Sequence, residues 1–197
     1  MEVGHASGDD NLGDENFKQR ALHPDYNVGL ILFEEILRER TARQMLRLPA
    51  DGTLEGAVGL SSKGGVINAN YIHPKIRFRP NSDGTPFPTF ELVGGVLMAW
   101  IDTLPVTGFN TSIWPAEDTV DNTGFFSSER YLGTEIDVAL KANFHQKKLQ
   151  LSLEGGVLAY GPALKKMLPN PDGGVFSHIL RTDHYSLTFQ TRLAFVW

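Results

Sequence analysis

The chain has 197 residues, with 18 basic and 23 acidic side chains, a net charge of −5 and no cysteine. The acidic balance argues against a nucleic-acid binder, whose footprint would be a basic face, and the lack of cysteine removes disulfide frameworks and thiolate metal sites. Mean hydropathy is −0.19 and no run of about 18 apolar residues occurs, which excludes an ordinary membrane-spanning helix. A β-barrel stays open, because only alternate residues of its strands meet lipid.

In chain order, residues 1–7 look like the last piece of a strand. Met1-Glu2-Val3 offers no charged n-region followed by an apolar stretch, so no export signal is visible, and the expectation is that further N-terminal strands precede this sequence. A long connection over 8–64 follows. Within it, Leu30, Phe33, Ile36, Leu37 and Leu46 fall at near-helical spacing, with Glu34 and Glu35 early and Arg38, Arg40, Arg43 and Arg47 late. This predicts a short helix at about 31–47 whose charge order suits its dipole.

Period-two alternation then dominates. Over 66–79, Ile72, Ile76 and Phe78 oppose Tyr71, His73, Lys75 and Arg77, with Pro74 on the apolar side, where a missing ladder donor predicts a bulge or local edge. Over 89–101, Phe90, Leu92, Val96, Met98 and Trp100 share one side, and the other, less polar side holds Glu91, Val93 and Leu97. Residues 131–144 set Leu132, Ile136, Val138, Leu140, Ala142 and Phe144 against Glu135, Asp137, Lys141 and Asn143. Residues 149–160 set Leu149, Leu151, Leu153, Val157 and Ala159 against Gln150, Ser152 and Glu154. The clearest alternation closes the chain over 184–197, where Tyr185, Leu187, Phe189, Leu193, Phe195 and Trp197 oppose Ser186, Thr188, Gln190, Arg192 and Ala194.

The connections alternate in length, short at 80–88 and 145–148 and long at 8–64, 102–130 and 161–183, as in barrels with short periplasmic turns and long extracellular loops. On that tour Phe78, Phe90, Phe144 and Trp197 all land at the short-turn edge of the apolar face, which predicts an aromatic girdle at headgroup depth. The expected fold is therefore all-β: an antiparallel up-and-down transmembrane β-barrel, represented by about six C-terminal strands of an incomplete barrel in one segment over 1–197, with a short helix in the first long loop.

Three features together, EVGHASGDD at Glu2–Asp10, LGTEID at Leu132–Asp137 and an alternating last strand ending in an aromatic residue, resemble the alginate-export type of outer-membrane porin. The resemblance implies a monomeric barrel of many more strands in the bacterial outer membrane, with a polar pore for a polyanionic polysaccharide or similar solute. The terminal pattern of Phe189, Leu193, Phe195 and Trp197 is similar to the signal read by the barrel-assembly machinery. Outer-membrane lipid and lipopolysaccharide would be the other partners.

The candidate pore-lining residues are Lys75, Arg77, Glu135, Asp137, Lys141, Glu154 and Arg192, because charges on the lipid face cost about 2–4 kcal/mol for Lys or Arg at mid-membrane, whereas charge inside a channel selects solutes. Mutual satisfaction within a wet interior is the plainer alternative. Arg38, Arg40, Arg43 and Arg47 would line a constriction and attract carboxylates, or form a solvated helix face. The acidic run Asp9, Asp10, Asn11, Asp14 and Glu15 lacks calcium-loop spacing. No nucleophile elbow, phosphate loop or dinucleotide fingerprint occurs, and Asp183, His184 and Ser186 are not a triad, since strand neighbours point to opposite faces. Neither a catalytic role nor a cofactor is expected. The competing expectations are a soluble β-barrel or sandwich that binds a small molecule, with the apolar faces forming its core, and a barrel remnant without function.

Overall fold

A computed structural model describes residues 1–8, 18, 20–23, 26, 28–37, 65–80, 88–104, 106–107, 125–127, 129–144, 148–167, 179–181 and 184–195. Alternating β-favouring segments pair with their sequence neighbours to give strands β1 (Glu2–Ala6), β2 (Ala69–His73), β3 (Lys75–Phe78), β4 (Thr89–Ile101), β5 (Val106–Thr107), β6 (Phe125–Ser127), β7 (Tyr131–Phe144), β8 (Leu149–Tyr160), β9 (Ile179–Arg181) and β10 (Tyr185–Phe195). All pairings are antiparallel. The main sheet runs β1-β2-β4-β7-β8-β10-β9 with β3 also on β4, and β5 and β6 form a separate hairpin. The architecture is an open antiparallel sheet with very little helix.

Register decides what each side of this sheet carries. The partners run Ala69↔Ile101 through Phe78↔Leu92, Thr89↔Asn143 through Ala99↔Gly133, Gly133↔Tyr160 through Phe144↔Leu149 and Tyr185↔Ala159 through Phe195↔Leu149. Directly paired residues share a face. One face therefore collects Lys75, Arg77, Glu91, Glu135, Asp137, Lys141, Glu154, Gln190 and Arg192, and the other collects Phe78, Phe90, Leu92, Ile136, Val138, Leu140, Leu151, Leu153, Phe189 and Leu193.

The apolar face is bare. Ile76, Phe78, Phe90, Leu92, Ile136, Val138, Leu140, Val157, Phe189, Leu193 and Phe195 are all exposed, the largest fractions being 75% at Ile76 and 69% at Phe189. The buried core lies on the opposite, charge-bearing face, at its long-loop end. There Tyr71, Leu97, Ala99, Ile101, Leu158 and Tyr160 are covered by Val28, Ile31, Leu32, Phe33, Ile36 and Leu37, with Ala163 and Leu164 of a short helix α1 (Pro162–Met167) at the margin.

Several local features differ from the sequence expectation. Residues Leu32–Leu37 form a π-helical turn rather than the start of a regular α-helix: Glu35 and Ile36 both donate to the Ile31 carbonyl at 3.0 Å. The rest of the expected helix, with Arg38, Arg40, Arg43 and Arg47, lies outside the described residues, as do Asp9, Asp10, Asn11, Asp14, Glu15, Asp183 and Trp197. Pro74 stands at a local edge, one of the two expected arrangements, and not in a bulge: β1 pairs with β2 only as far as His73, and beyond it β3 has no outward partner among the described residues. The register of β2 continues unchanged into β3, and Val96 N–H donates to the Pro74 carbonyl at 3.1 Å; the return bond of that pair is missing because proline has no N–H. The bulge falls instead at Leu132. Pairing slips from Ala99↔Gly133 to Trp100↔Tyr131, which turns Leu132 away from the apolar face, where alternation placed it, into the core. The two later long connections carry elements of their own: β5 and β6 in one, α1 and β9 in the other.

At the long-loop rim, Asn68 at φ 52° ends the ladder and clasps Thr103, accepting from its N–H at 2.7 Å and donating to its carbonyl at 3.2 Å. Beside it, Asp102 accepts from Asn70 Nδ2 at 3.0 Å and from the Gly8 N–H at 3.2 Å, with His5 Nδ1 at 3.7 Å. Burial alone would raise the Asp102 carboxyl, but these hydrogen bonds and His5 outweigh it and hold it below the usual carboxylate range. A depressed carboxyl contributes stability that is complete above its ordinary pKa and is lost as pH falls through the folded-state value. Exchange of the Gly8 amide is thus expected to be faster in Asp102→Asn than in the parent at neutral pH, with the gap closing below about pH 3.9; a gap that persists in acid would show that the carboxylate charge is not what holds the rim.

Candidate functional site

The charge-bearing face is layered along the strands, since ladder partners form rungs. Nearest the short turns lies a neutral polar rung, Thr89, Asn143 and Gln150. Above it Glu91, Lys141, Ser152 and Arg192 share a rung, then Arg77, Val93, Ala139, Glu154 and Gln190, then Lys75, Gly95, Asp137, Gly156 and Thr188, and then His73, Glu135, Leu158 and Ser186. All seven residues singled out as pore-lining therefore stand on one face. Their environments differ sharply.

Four have partners, three of them on the sheet. Lys75 Nζ lies 2.9 Å from Glu2 Oε2, and Glu2 also accepts from the Tyr26 and Tyr71 hydroxyls at 2.7 and 2.8 Å. Arg77 lies 3.2 Å from Glu91, which also takes Arg79 at 2.5 Å. Glu154 accepts from Ser152 at 2.6 Å and from Gln190 at 2.9 Å. Glu135 is fully buried and faces the docked segment instead of open space: Oε1 accepts from the N–H groups of Leu30 at 2.5 Å and Ile31 at 2.8 Å, and Oε2 from Leu32 at 2.7 Å. Lys141 and Arg192 have no hydrogen-bond or ion-pair partner among the described residues. Asp137 has neither carboxyl oxygen satisfied, and His73 neither ring nitrogen, although all four atoms are buried.

These groups surround a cavity of about 380 Å³ lined by His73, Lys75, Arg77, Asp137, Lys141, Glu154 and Arg192 and roofed by Gly29, Leu30 and Glu34. Orphaned polar atoms at the wall of a polar, roomy cavity are what water satisfies. Among the described residues no group of three or more His, Asp or Glu side chains is arranged to hold a metal ion. The arrangement is suited to contacting a hydrated, charged solute.

Its roof is held by complementary means. Glu135 gathers three adjacent peptide N–H groups on its two carboxyl oxygens, and six apolar side chains from Val28 to Leu37 are fully or nearly fully buried, each worth about 1.5–3 kcal/mol. Phe33 meets Tyr71 edge to face with centroids 5.2 Å apart. Gly29, at φ +70°, makes the approach possible: a Cβ there would lie 2.8 Å from Glu135 Oε1.

The opposite face shows an aromatic feature that alternation did not bring out. Trp100 and Tyr131 are paired across the ladder with ring centroids 5.8 Å apart, and Tyr185 stands two residues lower in β4 register, opposite Ala159. They form a second aromatic row at the long-loop end, facing Phe78, Phe90, Phe144 and Phe195 at the short-turn end. The signal was present in the sequence: Trp100 follows Phe90, and Phe195 follows Tyr185, by ten residues in the same phase.

No protein-family profile, curated protein or solved structure matches the chain. Replacing Glu135 by alanine is expected to leave three N–H groups without an acceptor, two of them buried at about 1–3 kcal/mol each, and to speed hydrogen exchange at Leu30, Ile31 and Leu32 at least about tenfold, with Glu135→Gln intermediate. Unchanged protection would mean that apolar contact alone holds the segment.

Proposed function

We propose that this chain forms part of the wall of an up-and-down β-barrel in a bacterial outer membrane and that its charge-bearing face lines a channel for polar or anionic solutes. One observation carries the reading: a continuous exposed apolar face, bare of charge between two aromatic rows, backed by a face that holds the charges. A soluble barrel or sandwich would bury that apolar face as its core, yet the side covered by the rest of the chain is the other one.

Dimensions support it. Ten residues from Phe90 to Trp100, and again from Tyr185 to Phe195, span about 34 Å of strand. At a tilt of about 40° this projects to about 26 Å, against an apolar band of about 25 Å in outer-membrane barrels. The short-turn row also steps across the registers from Phe78 to Phe90 to Phe144, as a level girdle must when strands are tilted.

The sheet is open as described: Lys75–Phe78 on one side and Phe189–Phe195 on the other have no outward partner strand among the described residues. In lipid each unsatisfied backbone group costs several kcal/mol, so the proposal includes further strands of the same barrel on these edges, with lipid, lipopolysaccharide and the barrel-assembly machinery as its other partners. Alginate or a similar polyanion as the solute rests on the sequence resemblance alone.

Val138 and Ala139 are neighbours on β7 that point to opposite faces. After dilution of the barrel completed by those further strands from urea into phosphatidylcholine vesicles, Val138→Arg is expected to lower the folded fraction by the equivalent of about 2–4 kcal/mol, read as heat-modifiable migration on gels, while Ala139→Arg folds nearly as the parent does. Equal behaviour of the two variants, or a monodisperse folded monomer in buffer without lipid or detergent, would sink the membrane reading.

A further inference from the structure

We infer that residues 28–37 are a resident stopper of the barrel interior, latched to the wall by Glu135, and that solute passage is controlled by whether this latch is made; the inference rests on the channel reading above. Four observations converge on it. The segment lies on the charge-bearing face, the one that would be the interior, and not at a loop tip. It joins none of the ladders, so it can leave the wall without breaking a strand pairing. One side chain of the wall, Glu135, accepts from the three consecutive N–H groups of Leu30, Ile31 and Leu32. And it separates two unlike zones, an apolar dock at the long-loop end and the charged cavity below, whose roof it provides through Gly29, Leu30 and Glu34.

The wall is shaped to receive it. Gly156 stands on the rung of Asp137, one strand over, and a Cβ there would lie 3.4 Å from Leu30 Cβ and 3.5 Å from Ile31 Cδ1. The closest atom to that Cβ would be Asp137 Oδ1, at 2.6 Å, so the glycine makes room for the Asp137 carboxylate, and Leu30 and Ile31 lie in van der Waals reach beside it. The unsatisfied atoms of Asp137 and His73 mark where water must enter from the cavity side, so the polar zone reaches the underside of the stopper. With the latch made, the interior is narrowed at the level of Glu135. With it broken, the three N–H groups lose their acceptor and the Glu135 carboxylate joins the charged rungs below.

The chain has no cysteine, so a lock can be installed without background. Leu30→Cys combined with Gly156→Cys places two Cβ atoms about 3.4 Å apart, within reach of a disulfide once the Asp137 carboxylate, 2.6 Å from the Cβ at position 156, turns aside into the cavity. Barrels that contain the chain or its variants together with the further strands its open edges require would be reconstituted in planar bilayers in potassium chloride. Expected are low conductance for the oxidised double-cysteine form, recovery to the parent level on adding dithiothreitol, and at least about a tenfold higher open probability for Glu135→Ala than for the parent. Equal conductance of the oxidised, reduced and Glu135→Ala forms overturns the stopper while leaving the channel standing. Failure of the cysteines to cross-link in the folded protein overturns the docking itself. Absence of conductance in every form, with the cross-link present, overturns the channel reading, and the control of passage with it.

Discussion

Parity is the constraint on which everything else here depends. A strand exposes alternate residues on opposite sides, and an antiparallel ladder transmits that choice from strand to strand without loss. From β3 to β10 each register keeps the apolar positions of one strand opposite the apolar positions of the next. A slip of one residue at the β4–β7 ladder would carry Glu135, Asp137 and Lys141 to the side of the bare apolar positions of β4 and bring Val138 and Leu140 opposite its charge-bearing side. The one irregularity between the long strands, at Leu132, falls where the ladder ends, so it re-aims a single side chain and leaves the rows below undisturbed.

That is also why so much of the fold was legible. In β7, β8 and β10 most residue types follow from which side they occupy, with Leu132, Leu158 and Tyr160 at the covered end as exceptions, and alternation alone marks their extents. In β4 the reading was softer, because Leu97, Ala99 and Ile101 sit on the charge-bearing side where a purely wetted face would be polar. The structure supplies the reason: a segment more than sixty residues earlier covers them. Such a contact leaves no trace in local periodicity. Leu132 was misplaced for a similar reason, since a bulge is a property of two paired strands rather than of one.

The candidate site was legible as a set and not as a set of roles. Sequence pattern could assemble Lys75, Arg77, Glu135, Asp137, Lys141, Glu154 and Arg192 on one side. It could not distinguish Glu135, wholly enclosed and satisfied by peptide groups, from Asp137 two residues later, enclosed and unsatisfied, or from Arg192, exposed. Those differences depend on what lies across the face. The near-helical spacing in the first long connection had its own ambiguity: the same apolar spacing that suggests a regular helix serves a single wide turn whose buried side chains pack onto a sheet.

The Glu135 contact has a bearing on how such a protein could diverge. The carboxylate recognises backbone N–H groups, which every residue but proline supplies, so the docked segment carries almost no side-chain information at the point where it is gripped. As far as this contact is concerned, the letters at 30–32 can change without a compensating change at position 135, whereas the glutamate has no substitute of equal reach and charge, aspartate being one methylene short. The interaction is inherited from one side only. Two descendants of this chain could share it while their loops no longer align, and a comparison built on paired substitutions would pass over it.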